Sequence, residues 1–136
     1  MAWVADTCLI IDVAEADPQF GVASARLFDR LSPDGLVTCP VTYIELAPIF
    51  NADESAQRHF LHNLTATWRE SWTIADTREA YLAWHRYVAS RRAGPMPKRP
   101  MADVLIGAFA MRFQGLLTRN EADFRQVFPT LKILTP

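Results

Sequence analysis

Short apolar runs alternate with longer helix-patterned segments along almost all of this sequence, and few architectures satisfy that alternation. "AWVA" reads as a short strand, Ala2 to Ala5, that stops at Asp6. "GVASARLFDRLSP" has helical spacing through Val22, Ala25, Leu27, Phe28 and Leu31 and halts at Ser32-Pro33. "GLVTCP" is a second buried strand closed by Pro40, and "VTYIELAPIF" and "SAQRHFLHNLTATW" read as two helices broken between Pro48 and Asp53. "SWTIA" has the pattern of a further short strand. "DTREAYLAWHRYVASRRAG" is a helix, with Asp76 and Glu79 at capping-box spacing, Tyr81, Leu82, Trp84, Tyr87 and Val88 near one face, and Gly94 at its end. Three prolines make "PMPKRP" a loop. A helix from about Met101 to Phe113, ending near Gly115, then precedes a strand "LLT", a short helix "EADFRQVF" and a last strand "LKIL". Strands alternating with helices predict an α/β fold in three layers, with a central parallel sheet covered on both faces.

A length of 136 residues suits one domain spanning 1–136, and no repeat or linker divides it. A hydrophobic fraction of 50% argues against disorder, and a net charge of −1 leaves no global basic field for nucleic acid, so any such contact must be local. Cys8 and Cys39 lie in apolar surroundings without metal or redox spacing, which fits core residues in a reducing compartment. No apolar run is long enough to span a membrane, and the expected location is the cytoplasm. His59, His62 and His85 have no acid or cysteine at metal spacing beside them and read as helix-surface residues.

In a parallel sheet, ligands bind beyond the carboxyl ends of the strands. Four acids fall at that edge. Asp6 follows the first strand, Glu45 lies early in the helix after the second, Asp103 heads the apolar helix "MADVLIGAFAM", and Asp123 lies just past "LLTRN". Each has an ordinary explanation alone: Asp6 as a turn residue, Glu45 as a solvated helix residue, Asp103 as an acid at the positive end of a helix dipole, and Asp123 as the third position of a cap on Asn120. Together they predict a shared site, where like charges require protons or a cation, and hard oxygen ligands suit Mg²⁺ or Mn²⁺. Asp12 reads as the end of its segment rather than a ligand.

These pieces resemble the PIN-domain ribonucleases, and among them the VapC-like toxins of bacterial toxin–antitoxin pairs. "ADTCLIID" is similar to that family's opening signature. "VTYIEL", with Thr42 three residues before Glu45, resembles its second motif. "MADVLIGAFA" resembles its aspartate-led central helix, and "LLTRNEADF" its closing motif. The resemblance spans nearly the whole chain. It departs at Trp3, bulky for the first strand, at Cys8, where asparagine or serine is usual, and at Gly107, where alanine is usual.

The resemblance implies a metal-dependent endoribonuclease in which Asp6, Glu45, Asp103 and Asp123 hold one or two Mg²⁺ or Mn²⁺ ions. Asp6 and Asp103 are expected as direct ligands, with Glu45 and Asp123 acting partly through water. Thr7, Thr118 and Asn120 are expected to orient carboxylates or substrate phosphate. Arg91, Arg92, Lys98 and Arg99, clustered just before Asp103, are expected to contact RNA phosphates, with Arg119 a weaker candidate. Single-stranded or looped RNA is the expected substrate. The resemblance also implies a homodimer and a VapB-like antitoxin, which would dock on apolar helix surface around "IELAPIF" and "FLHNLTATW". Other readings stay open: a PIN nuclease of RNA processing without an antitoxin, a catalytically silent PIN-like binding module, or a phosphatase-like domain with Asp6 as nucleophile. The last would normally place a second acid at position 8, which is Cys8.

Overall fold

The structure is a computed structural model that describes residues 1–91 and 100–136. Five strands, β1 (Trp3–Ala5), β2 (Leu36–Val37), β3 (Ala66–Thr67), β4 (Gly115–Leu117) and β5 (Ile133–Leu134), form one sheet in the order β3-β2-β1-β4-β5. All neighbours are parallel, and β1 is central, pairing Val4 with Val37 on one side and Leu116 on the other. The sequence-based expectation of an α/β fold with a central parallel sheet holds.

Strand alternation sorts the core into two layers. Trp3, Ala5, Leu36 and Leu117 face one side, where they pack with Leu9 and Ile10 of α1 (Thr7–Ala14), Leu27 and Phe28 of α2 (Gly21–Leu31), and Leu61 of α4 (Glu54–Asn63). Between α2 and α4 the chain forms a short helix, α3 (Pro40–Glu45), started by Pro40 in its first turn. Val4, Val37 and Leu116 face the other side. There they meet Ala80, Ala83 and Tyr87 of α5 (Ile74–Arg91), Val104 and Phe109 of α6 (Pro100–Ala110), and Phe124 of α7 (Glu121–Val127). The result is three layers, helices–sheet–helices. The change of face follows from right-handed crossovers that run one way from β1 to β3 and the opposite way from β4 to β5.

Five expectations need correction. The third strand is Ala66–Thr67, not "SWTIA", whose residues precede and open α5. The capping box of α5 is Thr73 with Asp76: the Thr73 N–H donates to Asp76 Oδ2 (2.9 Å) and the Asp76 N–H to Thr73 Oγ1 (3.1 Å), so Asp76 cannot serve as the cap for Glu79. The buried face of α5 is Ala80, Ala83 and Tyr87, while Tyr81 is 72% exposed, because close packing on α6 favours small side chains. Helix α6 ends at Ala110, and Gly115 opens β4, where a Cβ would meet the Lys132 carbonyl of the adjoining chain. The end of α5 at Gly94 and residues 95–99 of "PMPKRP" lie outside the described residues, while its last residue, Pro100, opens α6 and is not loop. No described helix is long and apolar enough to cross a membrane.

Candidate functional site

The strand order reverses between β1 and β4, the place where doubly wound sheets open a crevice. Asp6 lies there. Its N–H donates to the Leu117 carbonyl (2.9 Å), which carries the β1–β4 ladder one residue past the strand. Asp6 is also the N-cap of α1, but its side chain does not make the capping bond. Its Oδ2 instead accepts from the Thr118 hydroxyl (2.7 Å) and the Cys8 thiol (3.3 Å). Thr118 Oγ1 in turn accepts the Asn120 N–H (3.0 Å), so the threonine proton is directed at the carboxylate.

Asp6 is 4% exposed. Burial pushes its carboxyl above the usual carboxylate range, and the charge of Glu45 pushes the same way; the Thr118, Cys8 and Thr7 N–H donors pull it back. The Cys8 thiol is raised to about 12, first by burial and then by the Asp6 charge, and at neutral pH it remains a proton donor. No sequence reading placed Cys8 at the site; its position two residues after Asp6 in the first turn of α1 was the available signal.

Glu45 is the last residue of α3, not an early one, because the helix is cut short after it. The Thr7 hydroxyl lies 2.7 Å from Glu45 Oε1 and 2.9 Å from Thr42 Oγ1. With its one proton given to the carboxylate, Thr7 accepts from Thr42, which ties α1 to α3. Asp103 is in the first turn of α6 and Asp123 in the first turn of α7, and both border one narrow crevice beside Tyr87 and Phe128. Asn120 is the N-cap of α7 without a side-chain capping bond; its Nδ2 lies 3.9 Å from Cys8 Sγ.

Asp6 thus feels the charge of Glu45, and Asp103 and Asp123 border one crevice. Among the described residues, no group of three or more His, Cys, Asp or Glu side chains is close enough to hold a metal ion. The chemistry of the Asp6 donors is nonetheless suited to one. A buried carboxylate supported by neutral hydroxyl and thiol donors, with a second carboxylate nearby, takes up either a proton or a cation. Oxygen donors of this kind suit Mg²⁺, which binds through one or two carboxylates and keeps its waters.

Among the basic residues, Arg91 is exposed at the end of α5, while Arg92, Lys98 and Arg99 lie outside the described residues. Arg119 is engaged by Asp12 at 3.0 and 3.2 Å and lies 4.4 Å over the Phe20 ring. Asp12, read from sequence as a segment end, is buried within α1. In "IELAPIF" Ile44 is exposed while Leu46 belongs to the core, and in "FLHNLTATW" Leu61 belongs to the core. No protein-family model matches this chain, and no curated protein matches it in sequence.

Proposed function

We propose that this protein is a metal-dependent endoribonuclease of the PIN-domain kind and the toxin of a toxin–antitoxin pair. The observation that supports the nuclease reading most is Asp6. It is a buried carboxylate at the strand-order reversal that forgoes capping its own helix and is fixed through one oxygen by two neutral donors. Asp6 and Asp103 would ligate Mg²⁺ or Mn²⁺ directly, with Glu45 and Asp123 acting through water. The ion, when bound, would supply an activated water and stabilise charge on the leaving oxygen of a phosphodiester. The chain's own contribution is orientation: Thr118 holds Asp6, and Thr7 holds Glu45. Arg91 and the basic run that follows it would draw the RNA backbone toward this acidic edge. The toxin reading, with its VapB-like antitoxin and homodimer, rests on the four motif resemblances and their order along the chain.

The test is cleavage of total cellular RNA with Mg²⁺ or Mn²⁺ and with EDTA, comparing wild type with Asp6→Ala and Asp103→Ala. Discrete fragments that vanish with chelator and with either substitution are expected. Growth arrest on expression, relieved by the product of an adjacent small gene, is expected for a toxin. RNA retained without cleavage at any metal concentration would instead support a silent RNA-binding module.

A further inference from the structure

We propose that Asp12 and Arg119 form a clamp that holds the Thr118 hydroxyl on Asp6, making both of them positioning residues of the site; the inference rests on the nuclease reading above. Cys8 and Asp12 are four residues apart on α1 and so lie on one face of it. That face meets the segment Thr118-Arg119-Asn120 at two points. The Asn120 Nδ2 lies 3.9 Å from the Cys8 sulfur, and the Arg119 guanidinium takes both oxygens of Asp12, Nε to Oδ2 at 3.0 Å and Nη2 to Oδ1 at 3.2 Å. The Ser24 hydroxyl, from α2, donates to the same Oδ2 at 3.4 Å.

This two-point attachment brackets the groups that matter. Thr118, on one side of Arg119, gives its proton to Asp6, and Asn120, on the other, gives its N–H to Thr118. A bidentate pair fixes direction as well as distance, and the Phe20 ring below the guanidinium prevents it from swinging away. Stability alone does not call for such a pair, since an ion pair whose arginine stays exposed to water contributes little. The fork of Nε and Nη2 that would grip a phosphate is taken by Asp12, so Arg119 acts on the site through Thr118 and not on the substrate.

The test uses Asp12→Asn, Arg119→Gln and Arg119→Lys in the full chain, with three readouts: Mn²⁺ affinity by electron paramagnetic resonance, RNA cleavage with kcat and KM separated, and amide exchange at Asn120. Asp12→Asn and Arg119→Gln are each expected to weaken Mn²⁺ binding and lower kcat by about tenfold or more, with KM unchanged. Both should speed exchange at the Asn120 amide, and the double variant should be no worse than either single. Arg119→Lys, which keeps the charge, should recover part of kcat. If Arg119→Gln raises KM and Asp12→Asn changes nothing, Arg119 is a phosphate contact and the clamp is refuted. If the wild type neither binds Mn²⁺ nor cuts RNA, the nuclease reading fails by itself. Amide exchange then decides the clamp: faster exchange at Asn120 in Asp12→Asn upholds it, and unchanged exchange overturns it.

Discussion

Asp6 binds its proton more tightly in the folded chain than in the unfolded one, because burial disfavours its charge. The sign of the pH effect follows. A carboxyl raised on folding favours the folded state below the ordinary carboxylate range, and that contribution is lost as pH rises through the folded value. Asp6→Asn removes the charge but keeps an oxygen for the Thr118 hydroxyl. In EDTA, the variant is expected to melt a few degrees above wild type at about pH 7, with the gap closing toward about pH 4. Thermal melts across that range check it; a gap independent of pH would mean that buried charge is not the cause. The placement of Asp6 at the carboxyl end of β1 was legible because an acid directly after an apolar strand is local information. The Asp12–Arg119 pair was not, since its partners are 107 residues apart and Asp12 lies inside an apolar run.

At the scale of elements, α6 shows how a packing constraint can look like a mere variation in sequence. Gly107 stands where the resembling family has alanine, and here a Cβ would fall on the ring of Phe128, which is itself fully buried. Gly107→Ala is therefore expected to destabilise the fold by about 1–3 kcal/mol despite the better helix propensity of alanine, as denaturant unfolding would show. A stability equal to wild type would mean that Phe128 can move aside. The other end of the same helix is tied to α5: Arg112 bonds both oxygens of Asp76 (2.9 and 3.2 Å) and stacks near Phe109 and Phe113. Elements were readable where pattern had room to repeat. Two-residue β3 offers no alternation, and α1 begins with "TCLII", as apolar as a strand and too short to declare its period. Helix α5 misled for another reason: aromatic residues suggested the buried face, but the close approach of α6 selected Ala80 and Ala83.

For the molecule as a whole, the order β3-β2-β1-β4-β5 brings Asp6 and Thr118 together at the reversal, and topology aims α6 and α7 with their first-turn acids at the same edge. A cation bound there would stabilise the folded chain by mass action, by about 2.7 kcal/mol at a hundredfold excess over its dissociation constant. Mn²⁺ is therefore expected to raise Tm in wild type and to leave Asp6→Asn unmoved; identical melting of chelated and Mn²⁺-loaded wild type would argue against the cation. The alternation of strand and helix made this architecture readable from sequence alone, whereas the hydroxyl and thiol donors gathered on Asp6 depend on side-chain placement that no spacing encodes.

The central strand is also the first to be synthesised, and its neighbour β4 arrives more than a hundred residues later. Pairings of such long range form late and slowly. A chain still emerging from the ribosome carries Asp6 but lacks the Thr118 that holds it, along with Asp103 and Asp123. The carboxylate at the centre of the sheet's edge therefore waits, through most of the described fold, for the hydroxyl that orients it.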